Sequence, residues 1–459
     1  MVLASGGSAL AGVVQSFWIP KVLSVPDFGF WRAFILYTGY AGMLHLGLVD
    51  GALLRWSLPD QKPGRSLLRK AAAVLAGEHL LLLLVGAALC MLPLAHEAHR
   101  GFILMCLLIY ALLFNLVGLL QVFFQARGNF SFVAIGVSGA PVLFVLLLPA
   151  LVHGGLTLHK VIAGFLFAWT VILTCGVVLA LQEKRSGDEI GKRMGPSAYL
   201  AAGWPILLAN LGYGVMQSAD RVTVNLTQPI ERFAVYSLSQ SIIYVPIALI
   251  AAISRVAFSH FAKAEMESRP RLYGKVAGLL TAVWALLLPY FFAVEWVIRR
   301  FLPKYVGGLV PGSILLFSVL FLSLIQITQL PAFSLSGQQR RFFALSVTAA
   351  AVAFATAWIG SVVFGTLEAV AWSQVLTAAV WWAANYASLS PRSRSGYGGL
   401  IRIASVFALS TTVFLAVSRL VVGMAGRSLL YLGFMLPLTF LALRKDLDLR
   451  MDKRTQSPS

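Results

Sequence analysis

Lys21, Arg32, Asp50, Arg55, Glu78, His79, Asp220, Arg221, Arg255, Glu295, Glu368 and Arg419 all fall in or beside long apolar runs. A charge at bilayer depth costs roughly 2.5–3.5 kcal/mol on insertion scales, so each needs a partner, a wet cavity or a nearby interface. Asp220-Arg221 is the sharpest pair. Asn210, Tyr213, Gln217 and Asp220/Arg221 recur at helical spacing, and Ser237, Gln240, Ser241 and Tyr244 do the same on the next span. Two neighbouring polar stripes read as walls of a hydrated cavity, with an interhelical hydrogen-bond seam as the other reading. Glu78-His79 is a titrating pair by type: a carboxylate taken out of water favours its neutral form, and imidazole changes charge near neutral pH. Asp50 stands shortly before Arg55, to pair with it or to cap a break at Gly47/Gly51. Glu295 and Glu368 read as solvated at an outer interface.

Helices must carry these groups. About fourteen apolar stretches follow one another, near 5–23, 31–54, 71–94, 101–124, 131–152, 161–181, 199–224, 235–258, 276–298, 310–333, 342–364, 368–389, 401–422 and 428–443. Of 459 residues, 59% are hydrophobic and 12% charged, a balance that makes lipid the solvent. The net charge of +19 lies mainly in every second connection, around Arg55–Lys70, Lys184–Arg193, Lys263–Lys275, Arg340/Arg341, Arg392–Arg402 and the tail. That asymmetry places both termini in the cytoplasm and sets the charge against anionic lipid headgroups, not nucleic acid. The connections are short, so no soluble catalytic domain is inserted. Cys90, Cys106 and Cys175 sit inside spans without metal-like spacing and read as core packing. Residues 1–14 lack a basic leader and read as the first span.

The longest cytoplasmic link follows six spans and contains Gly187, Gly191, Gly195 and Pro196, a seam between two halves. Val25-Pro-Asp-Phe-Gly-Phe30 after span one is echoed by Gln228-Pro-Ile-Glu-Arg-Phe233 after span seven. Gly128 after span four is echoed by Gly337 after span ten. The expected fold is therefore an all-α polytopic membrane protein of two six-helix lobes related by a pseudo-two-fold along the membrane normal, plus two C-terminal helices. The expected division is 1–181 for helices one to six, 182–198 for a cytoplasmic linker, 199–389 for helices seven to twelve and 390–459 for the remainder. Pro20, Pro141, Pro205, Pro246 and Pro289 are the expected bend points.

The runs Leu23-Ser-Val-Pro-Asp27-Phe-Gly29-Phe-Trp31 and Leu46-Gly-Leu-Val-Asp50-Gly51-Ala-Leu-Leu-Arg55 resemble the first-loop and second-span signature of the polysaccharide transporter (oligosaccharide flippase) family. That family is part of the multidrug/oligosaccharidyl-lipid/polysaccharide exporter superfamily. Ala219-Asp220-Arg221, Val235-Tyr-Ser-Leu238, Lys304-Tyr-Val-Gly307 and Gly337 extend the resemblance over nearly the whole chain. It implies a two-lobed transporter in a bacterial cytoplasmic membrane, moving undecaprenyl-pyrophosphate-linked oligosaccharide outward beside a polysaccharide polymerase and glycosyltransferases. Two departures narrow the expectation. Span one has no acidic residue of the kind drug exporters use for cation coupling, and only Lys21 where lipid II flippases carry arginines.

A pyrophosphate needs a cationic shell, and the planar fork of Arg fits its oxygens. Lys21, Arg32, Arg55, Arg221 and Arg255 are the candidates, with Asp220, Gln217, Gln240 and Tyr244 beside them. Asp50, Glu78 and His79 are the coupling candidates. Trp204, Gln326, Gln329 and Trp372 are candidates for sugar stacking and hydrogen bonding. Snorkelling to an interface is the competing reading for Lys21, Arg32, Arg55, Arg255 and Arg419. An exporter of small cationic compounds would want an acidic, ion-coupled first lobe, whereas these charges lean basic. A membrane-embedded enzyme would want a general base and a large outer loop. His96-Glu-Ala-His99 lacks zinc-protease spacing, and no metal or cofactor is expected.

Overall fold

The computed structural model describes residues 2–57, 63–91, 99–183, 196–391, 394, 400–420 and 422–447, and their regular structure is helical throughout. In chain order the helices are α1 (Val2–Val22), α2 (Val25–Thr38), α3 (Leu48–Trp56), α4 (Arg65–Cys90), α5 (Arg100–Ala126), α6 (Phe130–His153), α7 (Leu158–Gln182), α8 (Pro196–Thr227) and α9 (Ile230–Lys263). They continue as α10 (Arg269–Leu287), α11 (Tyr290–Phe301), α12 (Leu309–Leu324), α13 (Leu330–Leu335), α14 (Gln339–Trp358), α15 (Leu367–Ser388), α16 (Leu400–Ser418) and α17 (Met424–Leu447). Seven helical stretches among the described residues are long and apolar enough to cross a membrane: 65–90, 100–126, 130–153, 158–182, 269–301, 303–335 and 339–363. The other expected stretches are helical too, though broken in α2–α3 and interrupted by charge in α8 and α9. Residues 184–195 of the expected linker, the tail beyond Leu447, and His96 and Glu97 lie outside the described residues.

Several helix boundaries follow from short-range chemistry. Ser24 opens α2: its hydroxyl accepts from the Asp27 amide at 3.2 Å and donates to the Asp27 carboxylate at 2.8 Å, with Pro26 in the first turn. The Ser-Val-Pro-Asp run is thus a reciprocal N-cap. Gly128 (φ 77°) and Gly337 (φ 73°) both close helices in the left-handed conformation. In each turn the next amide reaches back to the same helical carbonyl, Asn129 to Phe124 and Gln338 to Phe333, both at 2.9 Å. These are two copies of one Schellman turn, as the internal repeat requires. Two further glycine turns lead into threonine caps: Gly155 (φ 74°) stands two residues before Thr157 and Gly365 (φ 66°) directly before Thr366, and the two hydroxyls cap α7 and α15.

Contacts divide the chain into two compact units, Met1–Ser237 and Leu238–Ser459. Helix α8 therefore packs with the first unit although the repeat places it at the head of the second six-helix copy. The two boundaries measure different things, packing and duplication. In the first unit, Trp31 and Phe34 of α2 meet Tyr110 of α5, Phe144 of α6 and Phe165 of α7 at ring separations of 5.6–6.2 Å. Towards its other end, Leu48, Val49, Ala52 and Trp56 of α3 join Leu75 of α4, Phe123 and Phe124 of α5 and Tyr199 of α8 in a buried cluster. Close packing of this kind, not water exclusion, holds helices together in lipid.

In the second unit, Phe292, Phe317, Phe407 and Phe414 form the corresponding aromatic core. Glu295 is not solvated as expected: it is 7% exposed and accepts from Arg299 and Arg427, each at 2.9 Å, while Arg427 lies 5.0 Å from the Phe292 ring centre. That arrangement ties α11 to α17. Glu368 is half-buried in the first turn of α15. Cys106 is buried and Cys90 half-buried, but Cys175 is exposed on α7 instead of lying in the core.

Candidate functional site

Span two is not one helix. Helix α2 ends at Thr38, a single 3-10 turn occupies Ala41–Met43, and α3 resumes at Leu48. Gly39, Gly42 and Gly47 lower helix propensity along this stretch, and Leu46 (φ 48°) with Gly47 (φ 93°) reverses the local backbone hand. An interruption at membrane depth leaves polar backbone groups that must find partners inside the protein. They find them. Asn115 of α5, 1% exposed, donates its amide to the Ala41 carbonyl at 2.9 Å, and the Gly47 amide donates to His45 Nδ1 at 3.0 Å.

Two coupling candidates are attached to this interruption. Asp50 lies in the first turn of α3, half-buried, with its carboxylate 3.9 Å from His45 Nε2. Its position fits the cap of a break at Gly47/Gly51, since a negative group suits a helix N-terminus. His79 of α4, 1% exposed, lies 3.0 Å from the Asn115 amide nitrogen through Nε2 and 2.9 Å from the Leu75 carbonyl through Nδ1. Glu78 is half-buried, and its buried Oε1 has no hydrogen-bond partner among the described residues.

The lower half of span two is pressed against α8. A Cβ on Gly51 would overlap the Tyr199 carbonyl, and one on Gly203 would overlap the Gly47 carbonyl. The two backbones touch, which small residues at four-residue spacing permit. Trp56 Nε1 donates to the Tyr199 hydroxyl at 3.4 Å beside this crossing.

The upper half of span two meets α8 through hydroxyls. Tyr37 donates to Asn225 at 2.8 Å, and the Tyr40 hydroxyl pairs with that of Ser218 at 2.5 Å. Asp220 is 1% exposed and accepts from Tyr236 of α9 at 2.7 Å. At Ser218, Asp220 and Asn225 the polar stripe thus forms an interhelical seam. Gln217 and Arg221 are half-buried beside it, with an Arg221 guanidinium nitrogen 3.3 Å from the Gln217 carbonyl. Arg32 does not snorkel. It is 7% exposed, donates to the Ser237 carbonyl at 3.0 Å and lies 5.9 Å from the Phe28 ring centre.

The remaining candidates are dispersed. Lys21 is exposed at the end of α1, and Arg55 is half-buried in the last turn of α3. Gln240 is 5% exposed on α9, and the side chains of Tyr244 and Arg255 on that helix lie outside the described residues. Among the sugar candidates, Trp204 and Trp372 are exposed, Gln326 is half-buried, and Gln329 is fully buried with its amide on the Trp382 carbonyl at 3.0 Å. The sequence reading missed Asn115, Tyr37 and His45. Asn115 had a signal: it is the sole amide or charge between Ala111 and Leu119 of an otherwise apolar span.

The structure is similar to that of lipid II flippase MurJ in an inward closed conformation, with a TM-score of 0.73 over 97% of this chain and 99% of that one at 12% identity. It is also similar to the DinF-BH multidrug transporter in complex with R6G, with a TM-score of 0.56, 16% identity and coverage of 86% and 95%. An inward-facing multidrug resistance MATE family transporter of the MOP superfamily gives 0.55 at 14% identity, covering 88% and 95%. No protein-family model matches the sequence, and neither does any curated protein. The chain is a multi-pass membrane protein, and its fold is the one these structures share.

Proposed function

We propose that the chain is a flippase that moves an undecaprenyl-pyrophosphate-linked oligosaccharide across a bacterial cytoplasmic membrane by alternating access. The observation that carries this reading is the likeness, over essentially the whole of both chains, to a flippase whose own substrate is lipid-linked. In this reading the fourteen expected stretches all cross the membrane, both termini are cytoplasmic, and 182–198 links the two six-helix units 1–181 and 199–389. Residues 390–459 are an addition to that unit, and membrane lipids, a polymerase and glycosyltransferases are the partners.

The charge balance supports an anionic substrate. Arg32 and Arg221 stand on buried or half-buried helix faces in the first unit, and Arg55 closes α3 next to the Gly51 crossing. With Lys21 they are the first unit's candidates for the pyrophosphate, and Gln217 its candidate for the glycan; Gln240, Tyr244 and Arg255 are the candidates that the second unit carries. Under an inside-negative potential of about 100 mV, moving two negative charges outward is favoured by roughly 4–5 kcal/mol. The membrane potential is therefore sufficient to bias the cycle.

The test is translocation of fluorescent undecaprenyl-pyrophosphate oligosaccharide in reconstituted vesicles, with Arg221→Ala and Arg55→Ala compared with wild type at zero and imposed potential. Protein-dependent flipping that rises with potential and drops at least about tenfold in the variants is the expected result, a loss of roughly 1.4 kcal/mol or more of phosphate stabilisation. The likeness to a multidrug transporter in complex with R6G favours one second reading, export of small cationic compounds. Uptake of such a dye by inverted vesicles, with no movement of the lipid-linked glycan, would select it.

A further inference from the structure

We propose that His79 is a proton-binding site whose occupancy releases the break in span two from α5. The inference rests on the transporter reading only for its purpose, since the hydrogen-bond logic is independent of any substrate.

The Ala41 carbonyl fixes the orientation of the Asn115 side chain. Asn115 reaches it at 2.9 Å through nitrogen, and a flipped amide would set two acceptors face to face. The other hydrogen of that amide nitrogen then points to His79 Nε2, 3.0 Å away, so Nε2 acts as an acceptor. On the other side of the ring, Nδ1 lies 2.9 Å from the Leu75 carbonyl, which can only accept, so Nδ1 carries the hydrogen. His79 is thus a neutral imidazole of one tautomer, with both ring nitrogens engaged.

A proton added at Nε2 turns that acceptor into a donor facing the Asn115 amide hydrogens. The ring and the Ala41 carbonyl then make opposite demands on one side chain. If Asn115 turns its oxygen to the imidazolium, the Ala41 carbonyl loses its donor and keeps only the Leu44 amide, 3.1 Å away within the 3-10 turn. If Asn115 stays, the buried imidazolium keeps the Leu75 carbonyl at Nδ1 but its new Nε2–H faces a donor and has no acceptor, the costlier outcome. Proton binding and the α5 tether on the break therefore exclude each other.

The groups around the site fit a proton ligand. Glu78 adjoins His79 on α4, and its carboxylate has a buried oxygen without a partner among the described residues. From span two, His45 is in electrostatic reach of His79 and lies 3.9 Å from Asp50. Helix α5 has no ionisable residue between Ala111 and Leu119. The freed segment leads directly into α3, whose Gly47 and Gly51 make the backbone crossing with α8. A proton at His79 thus acts on the part of span two that carries Asp50 and Arg55.

The experiment is hydrogen–deuterium exchange of the full chain in lipid nanodiscs between pH 7.5 and 5.5, corrected for intrinsic rates and read on peptides covering 41–48. Wild type should lose protection at least about fivefold on acidification, His79→Gln should show a flat profile, and His45→Gln should keep the response. Asn115→Leu should be unprotected and flat at every pH, and it carries the test by itself if His79→Gln does not insert. A pH-independent wild type, or a response that persists in His79→Gln or in Asn115→Leu, overturns the proposal. No glycan or dye is present, so failure of the flippase reading leaves this result standing and the reverse also holds.

Discussion

The segments that follow the paired runs Val25–Phe30 and Gln228–Phe233 differ: one is interrupted and the other is not. Span two needs α2, a 3-10 turn and α3 to cover 25–56, whereas α9 runs unbroken from Ile230 to Lys263 even through Pro246. Elsewhere the pattern inverts. In the first copy α5 and α6 are continuous, while their counterparts carry π-helical turns at Ile325–Gln329 and Ile359–Val363. A proline does not by itself break a buried helix here, because neighbouring helices and side chains satisfy what it frees. The breaks fall where glycine or an inserted turn coincides with a partner for the exposed backbone. The turns at Gly128 and Gly337 share one geometry, whereas the helix interiors differ.

The strongest way to break this contrast is Gly51→Leu. The new side chain has no room against the Tyr199 carbonyl, so α3 and α8 must separate, and loss of monodisperse folded protein on size exclusion is expected. Gly433→Leu on α17, where a Cβ meets nothing within 4 Å, should leave yield unchanged. Span nine offers a second kind of break, between α10 and α11 at Pro289, and there an ion pair ties the following helix to α17. Glu295→Ala should lower stability by about 2–3 kcal/mol, below the full cost of breaking a buried pair, because the half-buried Arg427 loses its carboxylate. Arg299→Ala, on the exposed arm of the same cluster, should cost under about 1 kcal/mol. Thermal unfolding in detergent separates the two.

Smaller effects sharpen the likeness between copies. Gly128→Ala and Gly337→Ala each place a Cβ in open space at positive φ, so each should cost about 1–2 kcal/mol from backbone conformation alone. Equal shifts in unfolding midpoint mark the two turns as the same device, and a clear inequality would deny it. Ser24→Ala removes an exposed cap from α2 and should cost about 0.5–1 kcal/mol. Its trace should be faster amide exchange confined to the first turn.

The lipid-spanning character, the positions of nearly all helices and the Gly128/Gly337 turns were legible in the sequence because hydropathy and helix-ending glycines act locally, whereas the turns at Gly155 and Gly365 were not. The break in span two was not, since Leu44, Leu46 and Leu48 keep the stretch apolar while its backbone turns over. Gly39, Gly42 and Gly47 carried the signal that a hydropathy window averages away. Among the site residues, adjacency of Glu78 and His79 did not show the side-chain partner of His79, which is Asn115, thirty-six positions on. Asp220 was singled out for its charge, but which way a carboxylate on a polar stripe faces depends on Tyr236, a residue of the next helix.

The ring cluster of the first unit has an optical consequence. Tyr110 stacks on Phe165 at 5.5 Å, and Trp31 and Trp169 meet that pair edge-on at 5.4–5.6 Å. Chromophores locked in one asymmetric arrangement give near-ultraviolet circular dichroism that vanishes when side-chain packing loosens. Trp31→Phe should remove a defined part of that band, and the difference spectrum would then report the state of four helices, α2, α5, α6 and α7, in the unlabelled protein.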